Sequence, residues 1–160
     1  MSDGTYFEII DLPGTYSLYP KSLDESVTQQ VLCNTQNKDY PDVTVVIADA
    51  SNLRKSIFLL SQIIDLNMKV ILAINMIDIA RDIGVIIDSE SLSSILGIPV
   101  VEINARNKTG INDLKRAIQK SKSPKETILD VANLFPEVIN QGNQIRKSDN
   151  NYATFLSLCR

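Results

Sequence analysis

The sequence predicts an α/β domain built on a parallel sheet flanked by helices. The hydrophobic share of 44% suits one compact core. The length of 160 residues is too short for two full domains. Short segments rich in β-branched residues recur along the chain with helical patterns between them, as in a parallel sheet with right-handed crossovers. The four predicted strands are residues 6–10, 43–48, 69–75 and 100–104.

Helical periodicity fills the gaps between the later strands. Asp88 is placed to cap the second of these helices, and Gly97 and Pro99 are placed to end it. The apolar positions at helical spacing are Leu53, Ile57, Leu60 and Ile64, then Leu92, Ile95 and Leu96, then Ile111, Leu114 and Ile118.

The last part of the chain predicts a helical appendage. Ser123 and Pro124 mark a break, so residues 1–122 form the α/β unit and residues 123–160 begin the appendage. Residues 142–151 are polar and predict a loop, and residues 152–158 predict a further helix. Because so short a segment makes a poor core alone, we expect it to dock on the α/β unit or to continue further.

Composition excludes several classes of function. The formal net charge of -3 and the lack of basic clusters argue against nucleic acid as a partner. The sequence has no histidine, which excludes Ser-His-Asp and Cys-His catalysis and histidine-bound metal. Cys33 and Cys159 form no Cys-x-x-Cys motif, although a disulfide between them stays open. No apolar stretch approaches the roughly 20 residues of a membrane-spanning helix, and residues 1–5 do not form a signal peptide, so we expect a soluble chain.

Three predicted strands are followed by sequences suited to binding a ligand, because ligands bind at the carboxyl ends of the strands in such sheets. The first is Asp11-Leu12-Pro13-Gly14. The carboxylate can hold a hydrated magnesium ion, and the glycine lets a backbone N–H approach a phosphate. Taken alone, a simple strand-to-loop turn explains this sequence equally well.

The other two sequences suit recognition of a base. In Asn75-Met76-Ile77-Asp78, the aspartate can accept hydrogen bonds from the N1–H and amino group of guanine, and Asn75 can tie neighbouring loops together. In residues 104–110, the small Ala105 allows its N–H to reach a base carbonyl. Each has a plain alternative, a helix start in the first case and a loop in the second.

Their order and spacing resemble the last three motifs of Ras-like GTPases, Asp11-x-x-Gly14, Asn75-x-x-Asp78 and Ala105-Arg106. The longer strings at residues 10–18, 49–53 and 73–78 resemble the GTPase domain of bacterial ferrous iron transport protein B. This resemblance covers roughly residues 6–121. It implies a Ras-like P-loop GTPase fold, with a partial GTP-binding domain at residues 1–122 and the start of a helical domain at residues 123–160.

The resemblance also implies roles for individual residues. GTP or GDP would be bound with Mg²⁺, which Asp11 would contact through water. The predicted nucleotide-binding residues are Asp11, Gly14, Asn75, Met76, Asp78, Ala105 and Arg106. The predicted second switch includes Leu12, Pro13, Thr15, Tyr16 and Ser17 and extends to about Glu25.

Thr15, Asp24 and Glu25 are the residues that could affect the rate of hydrolysis. Ras-type enzymes have a water-orienting glutamine after the glycine, and Thr15 cannot hold water in that way, so the resemblance implies slow hydrolysis. Asp24 and Glu25 could supply a carboxylate base. The plainer interpretation, that they are first-turn helix charges, is favoured.

The sequence contains no Gly-x-x-x-x-Gly-Lys-Ser/Thr string. The resemblance places that P-loop and the first strand before residue 6, so we interpret the chain as starting within the domain and its activity as doubtful. The absent strand would lie between those at residues 6–10 and 43–48, which predicts unpaired edges and possible homo-oligomers formed by strand exchange.

The predicted function is that of a guanine-nucleotide-binding domain from a ferrous iron transporter, in which GTP binding and slow hydrolysis regulate Fe²⁺ uptake. Its partner would be the transmembrane permease region of the same protein, on the cytoplasmic side of the bacterial inner membrane. A non-catalytic interaction module derived from the fold is the alternative. A GTPase of ribosome assembly or tRNA modification is a third, which the lack of basic clusters disfavours.

Overall fold

The computed structural model describes residues 6–145 and 150–158. Among these, three strands form one parallel sheet in the order β1-β2-β3. Residue Thr44 pairs with Val70 at one end of the β1-β2 ladder, and Leu72 pairs with Val100 in the β2-β3 ladder. The strands are β1 (Thr44–Asp49), β2 (Val70–Asn75) and β3 (Val100–Glu102).

The described residues also form eight α-helices and one 3₁₀ turn, Ala50–Asn52. Helix α2 packs on β1 and β2, α4 packs on β3, and α5 packs on β2 and β3. The helices are α1 (Leu23–Cys33), α2 (Leu53–Asp65), α3 (Ile77–Asp82), α4 (Ser89–Leu96), α5 (Ile111–Lys120), α6 (Val131–Leu134), α7 (Pro136–Ile145) and α8 (Asn151–Leu158).

The core is centred on β2. Its residues from Val70 to Ile74 are all fully buried, so both faces of this strand are covered. A strand covered on both faces needs a continuous apolar sequence, which Val-Ile-Leu-Ala-Ile supplies. On β1 the burial alternates, and Ile47 is 65% exposed on the uncovered face. The predicted α/β class with a parallel sheet is confirmed.

Local capping explains where the helices begin and end. Asp88 Oδ1 accepts the N–H of Ser91 at 2.9 Å, which confirms the predicted cap of α4, and Gly97 ends that helix in the left-handed conformation. Ser22 Oγ accepts the N–H of Glu25 at 3.2 Å and begins α1. Asp24 and Glu25 lie in the first turn of α1, as the plainer interpretation predicted.

The prediction of a strand at residues 6–10 is wrong. This stretch has no regular structure, and Tyr6 is 96% exposed and Ile9 is 88% exposed. A β-strand is stabilised by the ladder that it makes with a neighbour, and no strand of the described chain lies beside residues 6–10. The edge of β1 that faces away from β2 is likewise without a ladder partner among the described residues. Three strands therefore form where four were predicted.

The appendage docks on the α/β unit. Val131, Ile139, Tyr152 and Leu156 are buried in the same apolar cluster as the sheet. The Asp65 carboxylate at the end of α2 accepts backbone N–H groups from this region, as described below. Docking of residues 123–160 was one of the two expected outcomes, and it buries the apolar side chains that the segment cannot cover alone.

The predicted loop at residues 142–151 is partly wrong, because α7 continues through Gly142 to Ile145. A Cβ at residue 142 would lie 2.4 Å from Thr154 Cγ2 and 2.7 Å from Leu158 Cδ1, so the glycine lets α7 and α8 pack closely. From the sequence alone, a glycine in a polar stretch predicts a loop, because the close packing of α7 on α8 is not visible there. Residues 1–5, 146–149 and 159–160 lie outside the described residues, so the possible disulfide between Cys33 and Cys159 is not tested.

Candidate nucleotide-binding site

The loop after β2 presents the predicted guanine-reading residues at the edge of the sheet. Asn75 is the last residue of β2, and Met76 follows it in the left-handed conformation with φ of 62°. Few non-glycine residues adopt this conformation, which costs about 1–3 kcal/mol and is concentrated at functional sites. This turn places Asp78 in the first turn of α3, where the helix dipole favours a carboxylate. Met76 and Asp78 are both exposed.

The loop after β3 is closed by its own side chains. Asn104 Oδ1 accepts the N–H of Arg106 at 3.1 Å and that of Asn107 at 3.2 Å. The N–H of Asn104 donates to Thr109 O at 3.0 Å, which ties the two ends of the loop together. Asparagine favours such turns because its short amide can bond the backbone just ahead of it. The loop is thus held in one shape before any ligand arrives.

Gly110 allows the loop to turn back tightly against β3. Its φ is 77°, and a Cβ on this residue would lie 2.1 Å from the carbonyl oxygen of Glu102. No real Cβ contact is that short, so only glycine fits without movement of the backbone. The sequence signal for this position is the Thr-Gly pair at Thr109 and Gly110, just before the apolar periodicity of α5.

Two hydrogen bonds join the loops after β2 and β3. Asn75 Oδ1 accepts the N–H of Ala105 at 3.1 Å, and Asn104 Nδ2 donates to Asp78 Oδ2 at 3.0 Å. The loops meet because parallel strands end at the same edge of the sheet. The first of these bonds ties the two loops together through Asn75, and the role of Asn75 in bracing a base pocket stays a prediction.

Asn104 is a site residue that the sequence analysis did not single out. Its amide group orients the Asp78 carboxylate while its oxygen closes its own loop. The available signal was an asparagine at the end of a predicted strand, two residues before Arg106. Among the described residues, Asp78 Oδ1 has no hydrogen-bond partner, so one carboxylate oxygen is oriented and the other faces solvent.

The exposed groups beside Asp78 define what this surface can bind. Met76 is 43% exposed, and Ala105 and Arg106 in the adjoining loop are exposed as well. A methionine stem can cover one face of an aromatic base, while a carboxylate can accept two N–H donors from its edge. The Ala105 N–H donates to Asn75 Oδ1 in this structure. Its contact with a base carbonyl stays a prediction, and it would require the N–H to donate to the base oxygen and to Asn75 at the same time.

Residues 11–19, called the switch segment below, form a separate element. Asp11 is exposed, and a Cβ on Gly14 would have nothing within 4 Å. The segment is connected to α1 by Thr28 Oγ1, which donates to Pro13 O at 2.8 Å. Within the described part of the chain, no hydrogen bond joins Asp11 or Gly14 to the loops after β2 and β3. Hydrogen bonds therefore join the predicted base-reading residues to one another and do not join them to the predicted phosphate-sensing residues of the described chain.

Thr15 makes contacts within the switch segment. Its hydroxyl donates to Ser17 O at 2.7 Å and accepts the N–H of Ser17 at 3.2 Å. Tyr16 beside it is 64% exposed. A hydroxyl engaged twice by its own segment is poorly placed to orient a water molecule. The slow hydrolysis that the resemblance implies stays a prediction.

The residues present do not by themselves fit a magnesium ion. Mg²⁺ requires near-octahedral oxygen ligands and usually combines one or two carboxylates with phosphate oxygens and water. Asp11 is a single exposed carboxylate, and no group of three or more acidic, cysteine or histidine residues converges anywhere in the described ranges. Asp11 could therefore supply only one water-mediated contact.

A depression on the described surface is lined by residues other than those of these loops. It has a volume of about 420 Å³ and runs between residues 50–54 and 85–88. Its lining is mostly apolar, and it includes none of the predicted nucleotide-binding residues. The base-reading loops thus form an open surface in this structure and not an enclosed pocket.

Comparison with known proteins places this arrangement in a family. The family model for ferrous iron transport protein B matches residues 1–118. The chain belongs to the ferrous iron transport protein B (FeoB) family. The Fe(2+) transporter FeoB of Escherichia coli strain K12 is 32% identical over 139 residues, which are 87% of this chain and 18% of that protein. The chain thus spans about a fifth of the length of this relative.

Solved structures of FeoB proteins agree with the fold. The cytosolic domain of L. pneumophila FeoB is 32% identical with a TM-score of 0.75, over 92% of this chain and 64% of that one. The GMPPNP form of the T. maritima FeoB cytosolic domain is 32% identical with a TM-score of 0.74, over 91% and 58%. The fold is therefore that of the FeoB G domain, as predicted. Among the described residues, no helix has both the length and the apolar character needed to cross a bilayer.

Proposed function

We propose that this chain forms the guanine-recognition part of a FeoB G domain. The observation that carries the proposal is the pair of hydrogen bonds that joins Asn75 to Ala105 and Asn104 to Asp78. The second bond orients the Asp78 carboxylate two residues after the exposed Met76, and these are the groups that we propose meet the edge and the face of guanine. Solved T. maritima FeoB domains in GMPPNP and GDP forms support guanine nucleotide as the ligand.

The complementarity favours guanine over adenine. Guanine presents two neighbouring donors, N1–H and its amino group, and an aspartate can accept both. Adenine has no N–H at N1, so pairing with Asp78 would place two acceptors, adenine N1 and a carboxylate oxygen, against each other. A site built to receive specific hydrogen bonds discriminates strongly against a ligand that cannot make them.

In the full-length protein, we propose that GTP binding and slow hydrolysis regulate Fe²⁺ uptake through the transmembrane permease region. That region would place this domain on the cytoplasmic side of the bacterial inner membrane. Asp11 would then contact Mg²⁺ through water, with phosphate oxygens completing its ligands. Gly14 would approach the terminal phosphate, because nothing on the protein occupies the space beside it.

The test is a change of base specificity. Xanthine has a carbonyl where guanine has its amino group, so an amide at residue 78 can donate to xanthine where a carboxylate cannot. We expect Asp78→Asn to weaken GDP binding by roughly 10- to 100-fold, as loss of one or two charge-assisted hydrogen bonds does, and to strengthen binding of xanthosine diphosphate. Isothermal titration calorimetry with both nucleotides measures this exchange.

Asp82→Asn is the matched control, since Asp82 is exposed on the same short helix and lies at its other end. It should leave both affinities unchanged. Equal binding of GDP and ADP by the unmodified chain, or no change of preference in Asp78→Asn, would show that these loops do not read guanine.

The alternative of an interaction module is favoured by the open edge of β1. We propose that a second copy of the chain can pair there, since the strand has backbone groups without a ladder partner in the described chain and the adjoining Ile47 is exposed. A charge on an edge strand opposes such pairing, so Ile47→Lys should shift any dimer towards monomer. Sedimentation velocity over a range of concentrations checks this, and a chain that is monomeric throughout would contradict it.

A further inference from the structure

The switch segment is attached to the core at its far end by a buried hydrogen bond. Leu18 is fully buried, and its N–H donates to Gln62 Oε1 at 2.7 Å. Gln62 is itself a buried polar residue on the last turns of α2. A buried backbone N–H that loses its acceptor is costly, so the position of Leu18 and the orientation of the Gln62 side chain depend on each other.

The same end of α2 holds the C-terminal region. The Asp65 carboxylate accepts the N–H of Ile128 at 2.5 Å and that of Leu129 at 3.1 Å. The carbonyl oxygen of Asp65 accepts Asn150 Nδ2 at 3.0 Å, just before α8 begins. Gln62 and Asp65 are three residues apart and lie on neighbouring positions of one helix. One turn of α2 therefore contacts both the switch segment and the appendage.

Tyr152 of α8 completes this contact. Its side chain is buried, and burial raises the pKa of its hydroxyl to about 12, with Gln62, Tyr19 and Asp65 as neighbouring groups that act on it. The Gln62 amide lowers the pKa by its proximity, although its nitrogen forms no hydrogen bond of ordinary geometry with any described residue. Leu18 and Tyr152 are also buried in the same apolar cluster, so the far end of the switch segment and α8 share one packed region with the buried Gln62.

We propose that Gln62 is a positioning residue that couples the switch segment to the C-terminal helices. Movement of Leu18 turns the Gln62 amide, and the amide in turn changes the surroundings of Tyr152 and the docking of α8. The reverse path lets the appendage set the position of the switch segment. Only the source of that movement, a bound nucleotide, rests on the function proposed above.

The first experiment needs no nucleotide. Hydrogen exchange of the Leu18 amide is measured by NMR in the full chain and in the variants Gln62→Leu, Tyr152→Phe and the double variant. Loss of the acceptor should speed Leu18 exchange roughly tenfold in Gln62→Leu. Tyr152→Phe should speed it roughly two- to fivefold, and should add nothing in the Gln62→Leu background, because coupled residues are not additive.

Two serines serve as controls, Ser61 on α2 and Ser157 on α8, since among the described residues each hydroxyl bonds only to its own helix backbone. Ser61→Ala and Ser157→Ala should leave Leu18 exchange unchanged. Gln62→Met replaces Gln62→Leu if the latter does not fold. An equal effect of Tyr152→Phe in both backgrounds, or no effect in a folded variant, would overturn the proposal.

The second experiment adds GDP. Binding should shift the Tyr152 amide resonance in the unmodified chain and should shift it less than half as far in Gln62→Leu. An equal shift in both would overturn the coupling. If GDP does not bind at all, the proposed nucleotide function fails, whereas the Leu18 measurements made without nucleotide still decide the coupling by themselves.

Discussion

Replacing Gly110 by alanine tests whether the base-reading loop is held by a close backbone contact. Two costs add at this residue. The left-handed conformation, with φ of 77°, costs an L-residue about 1–2 kcal/mol. The added Cβ would also lie 2.1 Å from Glu102 O and 3.1 Å from Ile103 Cα, so the backbone must move, which costs about 1–3 kcal/mol more.

The expected loss of unfolding free energy for Gly110→Ala is therefore roughly 2–5 kcal/mol, the sum of those two costs. At roughly 2–4 °C per kcal/mol for a chain of this size, the melting temperature should fall by about 4–20 °C. Urea denaturation followed by far-ultraviolet circular dichroism measures the free energy directly, provided that the slope with urea is unchanged.

Alanine variants of two other glycines separate the cost of the left-handed conformation from the cost of the steric contact. Gly97 has φ of 66° and open space around its Cβ position, so Gly97→Ala should show the conformational cost alone, about 1–2 kcal/mol. Gly14 has open space and no left-handed φ, so Gly14→Ala should change stability by less than about 0.5 kcal/mol. The reasoning is refuted if Gly110→Ala costs no more than Gly97→Ala.

Three further predictions concern single side chains. Asn104→Asp keeps the oxygen that closes its loop but replaces the donor to Asp78 by a carboxylate, so it should weaken GDP binding in a fluorescence titration more than Asn107→Ala does. Burial raises the pKa of Asp65, with hydrogen bonds from Leu129 and Ile128 opposing, so the folded state holds this proton more tightly than the unfolded chain. Its contribution to stability should fall as the pH rises from about 4 through the raised pKa, and urea titrations should show a smaller fall in Asp65→Asn. Burial raises the pKa of Tyr152 to about 12, so stability should fall as the pH rises from about 10 towards that value, and an ultraviolet absorbance titration of Tyr152→Phe should lack the most alkaline component.

The strands and helices that pack on the core were predictable because their signals are local. Residues 70–74 are apolar without interruption, and they form the strand buried on both faces. Asp88 and Gly97 bound α4 as their side-chain chemistry requires, one as an acceptor for a free N–H and the other as a residue that tolerates positive φ.

The errors arise where a neighbour decides the outcome. Residues 6–10 have strong β-propensity but lie exposed, because propensity does not form a strand without a partner ladder. Gly142 looks like a loop residue but lies within α7, because the close approach of α8 needs a position without a Cβ. Neither the missing neighbour nor the close helix can be read from the local sequence.

The sequence by itself determined the fold class and the family, and it predicted Asn75, Asp78 and Ala105 as base-reading residues, because each depends on residue type and spacing along one strand and its loop. Only the tertiary structure decided how the loops are joined and how the switch segment is held. The Asn104 bond to Asp78 spans 26 residues and the Leu18 bond to Gln62 spans 44 residues. Such bonds form only when folding brings distant segments together. The residue types alone do not determine these partners, because the same side chains could bond to many other groups.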